Sequence, residues 1–216
     1  MKIQTKYGDE PIIIEVNSEV KSIGLPAADE DSIECDDNIR GKIEIGLEDF
    51  AISAADKVAV VLNDGSRESG SDRILFPLID RLRSRGIKLK NISVIVAYGA
   101  HKSEPEDDLR SFLGDFSGEI HIIHHDCTDA DSLIKIGTTS RGTPILINKI
   151  IIESDRVICI GSASFHYFAG FGGGIKSLIP GVAGYETILA NHRLSITGKG
   201  SGLHPLCKER MINVGK

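Results

Sequence analysis

A small set of polar residues in this sequence suits acid-base chemistry on an anionic substrate. The set comprises Asp64, Arg67, His101, His166, Lys176 and His192. Histidine accepts and donates a proton at neutral pH because its ordinary pKa is about 6.5. The planar fork of arginine binds both oxygens of a carboxylate at once. These residue types can therefore move a proton and hold an anionic group.

The elements that must position these residues are runs of Val and Ile. From Lys57 onward the runs are KVAVVLN, NISVIVA, EIHIIHH, TPILINKIII and RVICIGS, and the helical segments ILFPLIDRLRSRG and PEDDLRSFLGD separate the earlier ones. Such alternation predicts an α/β fold with a largely parallel, Rossmann-like sheet flanked by helices. Ligands of these sheets bind beyond the carboxyl ends of the strands, so we expect Asp64, His101 and His166 to face one rim.

The N-terminal part of the chain has a different pattern. The segment KIQTKYGDEPIIIEV alternates around Gly8-Asp9 and predicts a hairpin, and an acidic, turn-rich stretch runs from Ala27 to Asp37. We expect residues 1–50 to form a small β-rich lead-in packed on the main domain. Residues 51–216 are then expected to form the α/β domain that carries the site.

Composition narrows the choice of partners and compartment. The 216 residues include 25 Lys and Arg against 31 Asp and Glu, for a net charge of −6, without a concentrated basic stripe. We therefore expect no nucleic-acid partner. No apolar run reaches the roughly 20 residues of a membrane span, and the first residues lack a signal peptide, so we expect a cytoplasmic protein with no membrane partner. The four dispersed cysteines are expected to be reduced.

The glycine-rich stretch from 161 to 193 nearly contains a phosphate loop. GFGGGIKS fails the pattern G-x-x-x-x-G-K-[ST] at Ile175, and Pro180-Gly181 stops the helix that such a loop must open. This argues against an NTPase. Closely spaced glycines still bring backbone N–H groups near an anion, so a phosphate-bearing ligand stays open. The segment VAGYETILANHR predicts a helix from near Val182 with His192 in its last turn.

A second histidine-rich run, HIIHHD, does not predict a metal site. Strand alternation sends His121 and His125 to one face and His124 to the other, so the three cannot converge simply. We expect a strand edge that reaches solvent.

The motifs NDGSR, YGAHK, FHYFAGFGGGIKSLIPGVAGYE and NHR together resemble the N-terminal domain of the nickel-dependent lactate racemase family. The resemblance implies an isomerase that racemises or epimerises a small 2-hydroxy acid. It also implies hydride transfer to nickel held in a nickel-pincer nucleotide, a cofactor of the pyridinium-3,5-bisthiocarboxylic acid mononucleotide type. The enzymes that build this cofactor are then expected partners. Which 2-hydroxy acid is used and the oligomeric state are left open.

The same resemblance implies a role for each residue that acts on the substrate. His101 and His166 match the two histidines that serve as acid and base, one for each enantiomer. Asp64 and Arg67 match the pair near the substrate, with Arg67 suited to its carboxylate.

On the cofactor side, Lys176 matches the lysine that tethers the nucleotide, and His192 matches the histidine that binds nickel. Gly172, Gly173 and Gly174 are expected to contact the cofactor. Family members are longer and close a second, C-terminal domain over the site, which we expect to be absent here. A cleft with one wall excludes water poorly, so little activity is expected of this chain alone.

Two other functions stay open on the residues alone. One is a non-catalytic domain that binds a phosphorylated small molecule or nucleotide on the loop from Gly172 to Gly174. The other is a hydrolase with a histidine-bound zinc, which is weaker because the sequence has no H-E-x-x-H motif.

Overall fold

The computed structural model describes residues 2–7, 10–15, 36–48, 50–64, 70–102, 110, 113–162, 165–166 and 170–197. The chain divides into two compact units, Met1–Glu34 and Cys35–Lys216. In the first unit, β1 (Lys2–Tyr7) and β2 (Glu10–Glu15) pair antiparallel. This pairing confirms the hairpin predicted around Gly8-Asp9.

The second unit contains the remaining elements. Its helices are α1 (Asp36–Glu48), α2 (Ser71–Ser84), α3 (Lys149–Glu153) and α4 (Tyr185–Thr197). Its strands are β3 (Val58–Asn63), β4 (Ile92–Ala97), β5 (His121–His124), β6 (Leu133–Thr138), β7 (Pro144–Asn148), β8 (Arg156–Ile160), β9 (Phe165–His166) and β10 (Gly170–Phe171).

A four-stranded parallel sheet in the order β5-β4-β3-β8 forms the centre of this unit. One face packs against α1 and α2 and buries Val58, Val60 and Leu62. The other face packs against β7, α3 and the turn before α4, and buries Ala59 and Val61. Burial on both faces explains the unbroken apolar run of β3, because each buried Val or Leu contributes about 1.5–3 kcal/mol. The predicted α/β fold class is confirmed.

The run TPILINKIII departs from its predicted place in the parallel sheet. Its first half is β7, which pairs antiparallel with β6 in a separate two-stranded sheet, and its second half is α3. The strand gives way to the helix at Asn148, whose Oδ1 accepts a hydrogen bond from the backbone N–H of Ile150 over 3.1 Å. Asparagine is a favoured helix cap, and an apolar run alone does not distinguish a short strand from a buried helical turn.

Helix α4 begins later than the sequence predicts, at Tyr185 instead of near Val182. The preceding residues bond to other elements: the N–H of Gly184 donates to the carbonyl of Leu146 over 2.9 Å. The helix also continues to Thr197, so His192 lies before the last turn, whereas the sequence analysis predicts it in that turn.

Helix α1 lies within residues 1–50, which the sequence analysis describes as β-rich, and it belongs to the second compact unit. Its Ile43 and Leu47 lie four residues apart on one helical face and pack into the core beside α2. Glu44, between them, forms ion pairs with Arg81 and Arg85 of α2.

Most of the predicted helix PEDDLRSFLGD falls outside the described residues. In the described part of the chain, no helix combines the length and apolar character needed to cross a membrane.

Candidate functional site

A cavity of about 240 Å³ opens where β3 and β4 end. Its lining includes Asp64, His101, His166, Lys176 and His192, all of which the sequence analysis selected. The cavity lies at the carboxyl ends of parallel strands, which is the rim where such sheets bind ligands. Residues far apart in sequence are thus brought to one place by the order of the strands.

The order in which strands are added to the sheet reverses at β3. The chain proceeds from β3 to β4 and β5 on one side, and later returns to add β8 on the other side. The crevice beside such a switch point is open because the flanking connections lead away from it in opposite directions. Asn63, the last residue of β3, and Asp64, which follows it, both line the cavity at this point.

Asp64 holds the ring of His101. The Nδ1 atom of His101 lies 2.7 Å from Oδ2 of Asp64, and the Asp64 side chain is only 7% exposed while that of His101 is 63% exposed. A carboxylate accepts hydrogen bonds, so Nδ1 carries the proton that it donates to Asp64. The Nε2 atom of the neutral ring is then the one that accepts a proton from a ligand.

The turn that carries His101 is joined to the turn before α4. The N–H of His101 donates to the carbonyl of Tyr98 over 3.0 Å, and the N–H of Gly99 donates to the carbonyl of Gly181 over 2.8 Å. His101 therefore sits on a loop that is fixed at both the strand and the opposite cavity wall.

Lys176 belongs to a short 3-10 turn, Gly174–Ser177. Its N–H donates to the carbonyl of Gly173 over 3.2 Å, and its own carbonyl accepts from the N–H of Gly181 over 3.2 Å. The Nζ atom of Lys176 is buried from bulk solvent. These bonds fix the main chain of Lys176, and its amine is shielded from water while the residue lines the cavity.

His192 is half-buried on α4, one helical turn after the cavity-lining Ile188. Burial lowers the pKa of His192 below its ordinary value, and the positive charge of Lys176 lowers it further. The ring is therefore neutral at neutral pH. Neutral imidazole is the form that binds a metal ion.

His166 approaches the cavity from a two-residue strand. Strand β9 pairs antiparallel with β10, and His166 lies opposite Gly170. The side chain is half-buried and lines the cavity with His101.

The described lining of the cavity does not contain every predicted site residue. Arg67 falls outside the described residues. Of the three predicted glycines, Gly173 is in the lining, whereas Gly172 is buried and Gly174 is exposed outside it.

The histidines of HIIHHD separate in the structure. His121 is exposed, and His124 accepts or donates a hydrogen bond with the Tyr98 hydroxyl through Nδ1 over 2.9 Å. His125 is buried and lies 3.0 Å through Nε2 from the carbonyl of Ala183. Each ring thus has its own surroundings.

Sequence reasoning missed several residues of the lining: Asn63, Tyr98, Ser177, Pro180 and Gly181. Asn63 carried a usable signal, since it is a polar residue at the carboxyl end of a run that is otherwise Val, Ala and Leu. Ser177 carried no sequence signal beyond its position after Lys176, because its place in the site depends on its hydrogen bond to Asn63, which is distant in sequence.

A metal ion in this cavity would need donors besides the side chains that the structure describes. Among the residues that the structure describes, no group of three or more His, Cys, Asp or Glu side chains is arranged to hold one. His192 offers one neutral nitrogen, the charge of Lys176 lowers its pKa, and Gly173 also lines the cavity. The donor set therefore fits a metal that arrives with an organic group supplying its other ligands.

Comparison with protein families gives one match that spans most of the chain. Residues 7–203 match the family described as the lactate racemase N-terminal domain. The lactate racemase of Lactiplantibacillus plantarum is 38% identical over 136 residues, which is 62% of this chain and 32% of that protein. The lactate racemase of Thermoanaerobacterium thermosaccharolyticum is 32% identical over 148 residues, 68% of this chain and 34% of that protein. The chain therefore spans about a third of the length of these relatives.

Two solved structures have the same fold. The lactate racemase apoprotein from Thermoanaerobacterium thermosaccharolyticum superposes with a TM-score of 0.70 at 24% identity, covering 100% of this chain and 53% of that one. A protein from Thermotoga maritima superposes with a TM-score of 0.71 at 21% identity, covering 84% of this chain and 47% of that one.

Proposed function

This chain belongs to the lactate racemase N-terminal domain family, and we propose on that premise that it serves an isomerase that racemises or epimerises a small 2-hydroxy acid. The resemblance drawn from the sequence motifs is confirmed at the level of the family. The observation that carries the proposal is the convergence of two histidines, one with a buried carboxylate partner, with Lys176 and His192 around one cavity.

The proposed cofactor is a nickel-pincer nucleotide attached at Lys176. The Lys176 amine would hold it covalently, His192 would bind the nickel, and the glycines from 172 to 174 would contact it through their backbone. The neutral state of His192 and the presence of Lys176 in the same cavity lining support this assignment. When bound, such a cofactor supplies reversible acceptance of a hydride.

The protein's own task is then to move the hydroxyl proton. His101 takes the proton from the substrate hydroxyl at Nε2, and the Asp64 carboxylate stabilises the imidazolium that forms. His166 performs the same task for the opposite enantiomer, because the hydroxyl of that enantiomer lies on the other side. Each histidine also returns a proton when the reaction runs backward.

The substrate carboxylate is assigned to Arg67, on the matched motif NDGSR and the bidentate chemistry of guanidinium. Asp64 was expected to contact substrate as well. Its buried contact with His101 favours a positioning role for Asp64 instead.

The partners and compartment follow from the same proposal. Enzymes that build the cofactor must load this chain, and the protein is proposed to be cytoplasmic. Burial raises the pKa of the Cys159 thiol to about 11, and Cys127 is also a free thiol, which suits a reducing compartment.

The test is intact-mass and metal analysis of the chain produced together with the cofactor-building enzymes. We expect an adduct that maps to Lys176 and stoichiometric nickel. Lys176→Ala is expected to lose the adduct, whereas Lys90→Ala, at an exposed lysine, is expected to keep it. An unmodified mass without nickel, or an adduct that persists in Lys176→Ala, contradicts the proposal.

A further inference from the structure

We infer that Asn63 is a positioning residue for Lys176 and acts through the side chain of Ser177. The Ser177 hydroxyl donates a hydrogen bond to Oδ1 of Asn63 over 3.1 Å, and Ser177 directly follows Lys176 in the 3-10 turn. The inference rests on the proposed function, because Lys176 requires a fixed position for chemistry only if it carries the cofactor.

Asn63 is itself held from the side of the sheet. Strands β3 and β8 are parallel neighbours with Leu62 opposite Ile160, so Asn63 and Gly161 follow a paired position. A Cβ added at Gly161 would lie 2.8 Å from Nδ2 of Asn63. The asparagine amide therefore packs against bare backbone on one side and the Ser177 hydroxyl on the other, which fixes its orientation.

The main chain of the turn is tethered on its opposite side by Gly181. The N–H of Gly181 donates to the Lys176 carbonyl, and a Cβ added at Gly181 would lie 2.1 Å from the carbonyl oxygen of Ser177. Only glycine allows this approach. The turn is thus held between Gly181 and the end of β3, with Lys176 between the two attachments.

The Asn63–Ser177 bond matters more for position than for folding. One neutral hydrogen bond adds little net stability, because the unfolded chain bonds to water instead. A reacting group displaced by about 1 Å, by contrast, can cost about a hundredfold in rate. Ser177 is only 4% exposed, so its hydroxyl is shielded from competing water. Both residues line the cavity together with Lys176.

The test on the cofactor-free chain is labelling of lysines with trinitrobenzenesulfonate, followed by peptide mass spectrometry. Lys176 is compared with the exposed Lys90 in the same sample. Asn63→Leu removes the acceptor at nearly constant shape, and Asn63→Asp keeps it. Because Nζ of Lys176 is buried, loosening the turn should raise its labelling relative to Lys90 by about threefold to tenfold in Asn63→Leu. Asn63→Asp should stay near the wild-type ratio.

Ser177→Ala provides the same test from the other partner and serves if Asn63→Leu does not fold. It should raise the labelling ratio as much as Asn63→Leu does. The double variant should rise no further, because both changes remove one bond. An unchanged ratio in the single variants, an Asn63→Asp variant that behaves like Asn63→Leu, or additive effects in the double variant would overturn the inference.

A second measurement links the bond to cofactor attachment. In chains produced with the cofactor-building enzymes, the fraction modified at Lys176 should fall about tenfold in Asn63→Leu and be retained in Asn63→Asp. Equal loading of these two variants overturns the positioning role. Failure of the wild-type chain to load contradicts the proposed function, and the labelling result still decides whether Asn63 fixes Lys176.

Discussion

His101 and His125 follow neighbouring strands of one sheet, yet the protein holds them in opposite ways. His101 is 63% exposed at its side chain, lines the cavity and bonds through Nδ1 to the carboxylate of Asp64. His125 is 2% exposed, and both of its ring nitrogens have uncharged protein partners. The ring of His101 thus has a carboxylate partner at the edge of the cavity, whereas the ring of His125 is buried among uncharged partners.

The partners of His125 fix its protonation state. The Asn148 Oδ1 accepts the N–H of Ile150, so the Asn148 Nδ2 faces His125 and donates to its Nδ1 over 3.3 Å. Nε2 therefore carries the ring proton and donates it to the Ala183 carbonyl. Burial lowers the pKa of His125, and the nearby charges of Asp126 and Asp129 oppose this only in part. The chemistry of the partner, carboxylate or amide, distinguishes the two histidines.

The largest expected effect concerns His101, the histidine that lines the cavity. His101→Ala should lower the residual interconversion of D- and L-2-hydroxy acids by the cofactor-loaded chain about 10³-fold, because the proposed general acid-base catalysis is lost. Its free energy of unfolding should fall by only about 1 kcal/mol, since the His101 side chain is exposed and the cost is the hydrogen bond that the buried Asp64 carboxylate loses. Chiral chromatography and urea denaturation measure the two quantities. His121→Ala, at an exposed histidine outside the cavity, is the control, and an equal loss of activity in both variants would contradict the assignment.

The next largest effect concerns His125, the buried histidine. His125→Ala should destabilise the fold by about 2–3 kcal/mol, because it leaves the Asn148 amide and the Ala183 carbonyl buried without their partner. Urea denaturation of this variant and of His101→Ala gives the comparison directly. Equal stability of the two variants would mean that burial does not separate the two histidines.

A smaller effect tests the carboxylate. Asp64→Asn keeps the shape but removes the charge that stabilises a protonated His101, so activity should fall about tenfold to a hundredfold. The loss should appear in kcat with KM nearly unchanged, because Asp64 acts through His101. A rise in KM with unchanged kcat would instead support the original expectation that Asp64 contacts substrate.

The sequence predicts the central sheet well and its surroundings poorly. β3 and β4 are unbroken apolar runs because both faces are buried, and that signal is local. The run TPILINKIII carries the same signal, yet it becomes a strand and a helix because Asn148 caps the latter. The start of α4 depends on the bond from Gly184 to Leu146, a partner distant in sequence.

In the candidate site too, features set by local sequence are predictable and contacts between distant residues are not. Strand ends predict where Asp64 and His101 lie, because carboxyl ends of parallel strands share a rim. The hydrogen bond between these two residues is not predictable from spacing, since it depends on how the turn after β4 docks on Gly181. The hydrogen bond between Asn63 and Ser177 is not predictable from the sequence for the same reason. The catalytic and cofactor roles of the predicted residues stay predictions.

The smallest effect concerns pH and separates His125 from the exposed His121. The ordinary pKa of histidine, 6.5, applies to the unfolded chain, and burial lowers the pKa of His125 in the folded one. The unfolded state therefore binds a proton first as pH falls. The stability that neutral His125 contributes is fully present above the ordinary pKa of 6.5 and declines as pH falls from there toward the lowered pKa of the folded state. His192, whose pKa is also lowered by burial, acts in the same direction. Between about pH 7.5 and about pH 5.5, His125→Gln should lose less unfolding free energy than the wild type, and His121→Gln should lose the same amount. Identical pH dependence in all three chains would show that the ring of His125 accepts a proton in place, against the partners that surround it.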